Sequence, residues 1–253
     1  VPTWHNKRFV LIEMKADNEE FTAENAELAE LDAPGRVAWA LARFGEGLVM
    51  STSFGLQSAV MLHLVRKVSK EIPVIFVDTG YLFPETYQYA ELLREKIGVE
   101  PKIYSSTLSP LFQQVRFGRL WEKGPEGMEK YNLINKVEPM QRALRELGAT
   151  AWLAGLRRDQ SSGRAERTFI EKQNGVAKIY PILDWDDKTT YQYLPHNKLP
   201  YHALEGVGYD SVGDWHSTKK VTEVDSAEET RNAGHQRECG LHEDLPEGYD
   251  YSI

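Results

Sequence analysis

The feature that most constrains this chain is a change of rhythm at Gly47, after which short apolar runs alternate with amphipathic stretches. Leu48-Val49-Met50 reads as a strand and Ser51-Thr52-Ser53-Phe54-Gly55 as a small-residue loop. Gln57 to Val68 follows as a helix with Val60, Leu64 and Val68 on one face. Ile72 to Val77 is a second strand that ends in Asp78-Thr79-Gly80, and Pro84 marks the first turn of a helix running to about Ile97. Val99 to Tyr104 gives a third strand, and Ala151 to Gly155 a fourth after a helix over Pro139 to Leu147. Such alternation implies right-handed crossovers, hence an α/β fold with a parallel twisted sheet and helices on both faces. It also gathers the loops that end the strands into one crevice, where ligands of such sheets bind. Further on, Thr168 to Ile170 and Val176 to Tyr180 flank Gln173-Asn174-Gly175, a hairpin signature, and Asp187 to Leu194 predicts one more helix.

This rhythm divides the chain into a helical accessory region over 1–46, an α/β domain over 47–218 and a Gly-containing tail over 219–253. In the first part Glu24 to Leu31 and Val37 to Phe44 read as packing helices, while residues 1–18 carry no clear period. With 253 residues, 41% of them hydrophobic, the chain can bury one large core plus appendages. No apolar run approaches the roughly 20 residues of a membrane span, and no charged-then-apolar signal opens the sequence, so a soluble, cytoplasmic protein is expected. The formal charge of −8 disfavours a nucleic-acid partner. Positive residues nevertheless gather at Arg157-Arg158, Arg164, Arg167 and Lys219-Lys220, either as solvated faces or as the seat of a small anion.

Cys239 is the only cysteine, which removes intrachain disulfides and any cysteine-ligated zinc or iron–sulfur centre. It is either a small buried hydrophobe or a nucleophile. Arg237 and His242 flank it and no apolar period runs through the segment, and a cationic setting lowers a thiol's pKa. The loop after the first strand has its own chemistry. Ser51, Thr52 and Ser53 offer hydroxyls, Gly55 allows close backbone approach, and the helix that follows presents amides and a positive dipole end. That suits a phosphate or sulfate, although Ser and Gly also make ordinary strand-to-helix turns.

The run Ser51-Thr52-Ser53-Phe54-Gly55-Leu56-Gln57-Ser58 resembles the phosphate loop of the adenine-nucleotide α-hydrolase (PP-loop) superfamily, in the form found in sulfonucleotide reductases. Val77 to Thr86, Lys136-Val137-Glu138-Pro139-Met140, Gly155 to Ser161 with Arg164, Gly208-Tyr209 through Gly213, and Glu238-Cys239-Gly240-Leu241-His242 match further motifs of that family, in family order. Two departures from relatives are informative. ATP-cleaving members of the superfamily carry glycines after the first Ser and an Asp near the loop's end, where this chain has Thr52-Ser53 and Gln57, so metal-assisted ATP cleavage is disfavoured. The adenylyl sulfate branch of the reductases ligates an iron–sulfur cluster through cysteines at positions held here by Tyr131-Asn132, Asp214 and Ser217. The chain is therefore similar to the cluster-free branch that acts on 3′-phosphoadenylyl sulfate.

The resemblance implies that Cys239 attacks the sulfate sulfur to give an S-sulfonate, and that an external thioredoxin or glutaredoxin supplies the electrons, with no cofactor or metal bound. It places Lys136, His242, Arg231 and Tyr209 at the reaction centre. It assigns Ser51, Thr52, Ser53, Gly55, Gln57, Ser58, Asp78, Thr79, Gly80, Arg157, Arg158, Arg164 and Arg237 to substrate binding, and it implies a homodimer; the place of Cys239 on a Gly-containing tail predicts a mobile lid that closes over the nucleotide. Asp78 also reads as a plain turn carboxylate, Lys136 as a surface lysine and Tyr209 as a packing residue. Ser217 with Lys219-Lys220 is a candidate reader of the 3′-phosphate. A reductase that accepts adenylyl sulfate without a cluster, and a non-catalytic nucleotide-binding protein, are the competing readings.

Overall fold

The structure, a computed structural model, describes residues 20–230 and residue 241. Two helices, α1 (Thr22–Ala29) and α2 (Ala33–Phe44), precede the sheet. Asp32 caps α2, its carboxylate accepting from the Gly35 amide at 2.8 Å. Then come β1 (Leu48–Thr52), α3 (Ser58–Val68), β2 (Val74–Val77), α4 (Pro84–Ile97) and β3 (Lys102–Tyr104). After these lie α5 (Pro110–Phe117), α6 (Gly124–Asn132), a π-helical turn (Leu133–Val137), α7 (Glu138–Glu146), β4 (Ala151–Leu153), the pair β5 (Ile170–Gln173) and β6 (Val176–Ile179), and α8 (Asp187–His196).

The sheet order is β3-β2-β1-β4-β6-β5. Every pairing is parallel except β5 with β6, so the sheet is mixed rather than purely parallel. The exception is the expected hairpin: Asn174 and Gly175 both take positive φ, 50° and 79°, as a two-residue type I′ turn requires. The right-handed crossover rule places α3 and α4, which pack against each other, on one face and α7, which packs on β2 and β3, on the other. Covered on both faces, Leu48, Val49 and Met50 of β1 are at most 1% exposed, which explains why that strand is apolar throughout rather than alternating.

Prolines trim the strands. β2 begins at Val74 because Pro73 has no N–H to give to the ladder, and β3 begins after Pro101. The α4 boundaries follow Pro84 at its start and Gly98, left-handed at φ 70°, after its end. The accessory helices share the sheet's core, with Leu28, Val37 and Ala40 fully buried in it. Arg36 fastens them. Its buried guanidinium donates to the Leu28 and Pro181 carbonyls at 2.8 and 2.9 Å and pairs with Asp184 at 2.6 Å. A second, smaller core of Tyr81, Leu120, Met128, Tyr131 and Ile134 forms under α6.

Candidate active site

A cavity of about 300 Å³ opens where the C-terminal ends of β1, β2 and β4 meet, at the crevice expected from the topology. Ser51, Thr52, Ser53, Gly55, Gln57 and Ser58 line one wall, Thr79 and Lys136 another, and Arg157, Arg164 and Leu241 complete it.

The first wall is shaped by Phe54. Its φ of 49° is a left-handed conformation that a bulky residue resists, and it is held there by burial and by an edge contact with Phe76 at 4.9 Å. The Phe54 amide donates to Thr52 Oγ1 at 3.2 Å, which tightens the turn. Ser51 Oγ accepts from the Trp152 indole at 2.7 Å, so the hydroxyl keeps its own proton to donate. Ser58, the first residue of α3, has a buried hydroxyl with no hydrogen-bond partner in the structure. A buried hydroxyl at a helix N-terminus, on the wall of a cavity, is a ready contact for an anion.

The arginines divide. Arg157 is 3% exposed and works as a hub: it donates to Gln57 Oε1 at 3.0 Å, Thr190 Oγ1 at 3.2 Å and Asp187 Oδ1 at 2.6 Å, and reaches Asp159 at 3.2 Å. Gln57 thus commits its side-chain oxygen to an arginine. Arg164 lines the cavity and donates to Gln160. Arg158 turns away, donating to the Arg167 carbonyl at 3.0 Å and lying over Phe169, and is not part of the cavity wall.

Of Asp78, Thr79 and Gly80 in the second loop, only Thr79 lines the cavity, beside Val77 and Leu82 of the same loop. Asp78 staples the turn, accepting from the Gly80 amide at 2.8 Å and the Tyr87 hydroxyl at 2.7 Å. Gly80 sits at φ 72°, and a Cβ there would come within 2.5 Å of Pro110. Tyr209 stands outside the main cavity in an adjoining groove with Gln57 and Asp187, its ring 5.6 Å from Phe83 and 5.5 Å from the Lys220 ammonium. Ser217 is buried beside Asp214, its amide donating to the Asp214 carbonyl at 3.1 Å, and Lys219 is exposed.

The opposite wall is built on charge. Lys136 sits in the π-helical turn, a device that recurs at functional sites, and its ammonium is 2.8 Å from Asp214 Oδ2 with both side chains buried. Asp214 also accepts from Thr79 Oγ1 at 2.5 Å. Burial pushes the Asp214 carboxyl up, but the Lys136 ammonium, helped by the Thr79 hydroxyl, outweighs it and holds the group below its ordinary range. An ammonium has three N–H bonds, so Lys136 can keep Asp214 and still face the cavity.

Aromatic rings surround this pair, with the Lys136 ammonium 5.4 Å from the centre of the Tyr131 ring. Tyr131 and His216 rings lie 4.8 Å apart, and His216 stacks on Trp121 at 3.9 Å. The Tyr131 hydroxyl is buried against Thr79 and Asp214, and both polar atoms of the Asn132 side chain are buried without hydrogen-bond partners. Aromatic rings and one ion pair therefore fill this volume. Asp214 escaped the sequence reading as a site residue because nothing local marks it; only the partner it meets across the fold does.

Leu241 belongs to the cavity wall, its carbonyl accepting from Gln173 Nε2 at 3.1 Å and Lys178 Nζ at 3.2 Å. Cys239, His242, Arg231 and Arg237, and with them residues 231–240 and 242–253 of the expected mobile tail, lie outside the described residues.

Among the described residues no helix is long and apolar enough to cross a membrane. The profile of the phosphoadenosine phosphosulfate reductase domain matches residues 47–220. The phosphoadenosine 5′-phosphosulfate reductases of Escherichia coli O139:H28 and of Citrobacter koseri are each 56% identical over 219 residues, covering 87% of this chain and 90% of theirs. The crystal structure of phosphoadenylyl-sulfate reductase from Candida auris, a phosphate complex, superposes with a TM-score of 0.70 at 34% identity, over 79% of this chain and 97% of that one. Candida glabrata FMN adenylyltransferase shares the fold alone, with a TM-score of 0.55 at 13% identity over 74% of this chain and 64% of that one.

Proposed function

Because the chain belongs to the phosphoadenosine phosphosulfate reductase family, we propose that it reduces 3′-phosphoadenylyl sulfate to sulfite through an S-sulfonate on Cys239. The Cys239 thiolate attacks the sulfate sulfur, the bond from that sulfur to the bridging phosphate oxygen breaks, and adenosine 3′,5′-bisphosphate leaves. A thiolate of an external dithiol then attacks Cys239 Sγ and expels sulfite with its electron pair. The dithiol's second thiol resolves the mixed disulfide and returns Cys239 as a thiol. Two electrons pass from the dithiol to sulfur, and with a single cysteine in the chain they come from an external dithiol. Thioredoxin or glutaredoxin fits that need, and a free nucleophilic thiol fits the reducing cytoplasm.

The observation that carries this reading is Leu241 in the wall of the cavity that the phosphate loop lines. Two residues span at most about 7 Å, which keeps Cys239 within reach of a sulfonate held there. Lys136 and His242 are assigned to the charge that develops on the transferring group, Ser51 to Ser58 to the phosphosulfate, Arg164 to the nucleotide, and Tyr209 and Arg231 to the approach of the tail.

Intact-mass spectrometry after mixing with the sulfonucleotide tests the scheme. The expected result is one sulfonate adduct on the wild type and none on Cys239→Ser, which should still bind adenosine 3′,5′-bisphosphate but release no sulfite. Full turnover by Cys239→Ser would sink it. Parallel kinetics with adenylyl sulfate checks the choice of substrate, and sedimentation checks the homodimer that kinship implies.

A further inference from the structure

Lys178 lies in the middle of β6 between Ala177 and Ile179 and is 0% exposed, an expensive place for an ammonium. Its Nζ is 3.8 Å from the centre of the Trp152 ring, donates to Gln173 Oε1 at 2.5 Å and donates to the Leu241 carbonyl at 3.2 Å. Gln173 Nε2 gives the same carbonyl a second donor at 3.1 Å. Lysine can only donate, so the Gln173 oxygen has to face Lys178 and its NH₂ has to face Leu241; one side chain fixes the orientation of the other. The Trp152 ring that carries the cation on its face also holds Ser51 of the phosphate loop through its indole N–H, at 2.7 Å. One rigid indole thus touches both Ser51 of the phosphate loop and the ammonium that holds the Leu241 carbonyl.

We propose that Lys178 and Gln173 are positioning residues for the reaction: they form a two-donor socket that seats the Leu241 carbonyl and so sets where the Cys239 thiol stands against the phosphate loop. The inference rests on Cys239 being the nucleophile, as proposed above. It explains why a buried strand carries a lysine at all. A hairpin that needed only packing would be served by an apolar side chain paired opposite Trp152.

Two full-length variants test the socket. Lys178→Met keeps most of the stem and removes the ammonium. Gln173→Glu is isosteric and keeps a partner for Lys178, but it turns the donor facing Leu241 into an acceptor that repels the carbonyl. In both, the rate of Cys239 sulfonation by 3′-phosphoadenylyl sulfate, read by quenched-flow intact-mass measurement, should fall by roughly 10-fold or more, since misplacing a reacting group by about 1 Å costs up to 10²-fold. Affinity for adenosine 3′,5′-bisphosphate and the thermal midpoint of Gln173→Glu should stay at wild-type levels. Alkylation of Cys239 by iodoacetamide in the presence of that nucleotide should become several-fold faster.

Wild-type sulfonation and alkylation rates in Gln173→Glu would overturn the socket, as would a loss of nucleotide affinity that matches the loss of rate. Gln173→Glu decides the matter if Lys178→Met does not fold. A wild type that forms no adduct overturns the S-sulfonate reading instead, and the alkylation rates still judge the socket.

Discussion

On the phosphate-loop wall, Ser51 to Ser58 are consecutive, the Ser51 and Thr52 hydroxyls accept from the protein but keep their own protons, the Ser58 hydroxyl has no partner, and the conformation is set by neighbours such as Phe54 and Thr52. On the facing wall, Thr79, Lys136 and Asp214 come from distant segments, with Thr79 and Asp214 separated by 135 positions, and each is bound to another of the three. The first wall can lose a functional group without disturbing the fold. The second cannot, because an ion pair under the aromatic rings is both part of the cavity and part of the core. Substitutions on the loop should therefore read out in ligand affinity, and substitutions on the clasp in stability.

The largest effect should come from breaking the clasp. Lys136→Met leaves Asp214 buried with its main counter-charge gone, and breaking a buried pair from one side costs about 3–5 kcal/mol. Urea denaturation should show that loss. Adding Asp214→Leu to it should recover most of the stability, since a buried pair can be replaced by apolar groups at little net cost, while sulfite production stays low. Equal stability of the single and double variants would place the two residues outside a common unit and erase the contrast between the walls.

A smaller effect follows from pH. Burial, and secondarily the Lys136 charge, lower His216 from its ordinary 6.5 to about 4 against the opposing pull of Asp214. The unfolded chain binds the proton first as pH falls, so His216 contributes stability above about 6.5 that is lost between that value and about 4. Asp214, held below its ordinary range, contributes stability that is present above the unfolded carboxyl value and lost at still lower pH, as the folded group takes up its proton. The clasp should therefore fail in two steps. Asp214 faces Lys136, Thr79 and His216, and His216 faces Trp121, Tyr131, Tyr81 and Trp215, so no described ring contact of His216 brings a second histidine. Replacing His216 with Phe should flatten the upper step in thermal midpoints measured across that range and leave the lower one; an unchanged profile would remove His216 from the account.

The same division decides what the sequence could reveal. The α4 limits were legible because Pro84 and Gly98 punctuate them, and the β5–β6 turn because Asn-Gly allows positive φ at both positions. The phosphate loop was legible for the same reason, its chemistry being contained in eight neighbouring residues. By contrast α5 gave no usable signal: Leu111 and Val115 are 72% and 81% exposed, so its apolar spacing does not report a buried face. Lys136 was found by motif, but its partner Asp214, the π-helical turn that aims it and the rings around it depend on contacts across the fold. Lys178 did leave a trace, a lysine between Ala177 and Ile179 in an apolar strand. A charged residue at a position that should be buried was the mark of a structural role that periodicity alone could not assign.

The smallest effect belongs to the loop wall, and it sharpens the comparison most. The Ser58 hydroxyl is buried and unpartnered, so Ser58→Ala removes no protein hydrogen bond and relieves a group that costs free energy where it stands. Alanine is also the better helix former by a few tenths of a kcal/mol. Stability should then stay within about 0.5 kcal/mol of wild type, or rise. If the hydroxyl exists for the phosphosulfate, affinity for the nucleotide should fall by about 1 kcal/mol, roughly fivefold in Kd, the net worth of one hydrogen bond. Calorimetric titration beside a thermal melt separates the two quantities. A variant that loses stability while binding normally would show that Ser58 serves the start of α3 rather than the ligand, and would leave the anion to the amides and hydroxyls of Ser51 to Ser53.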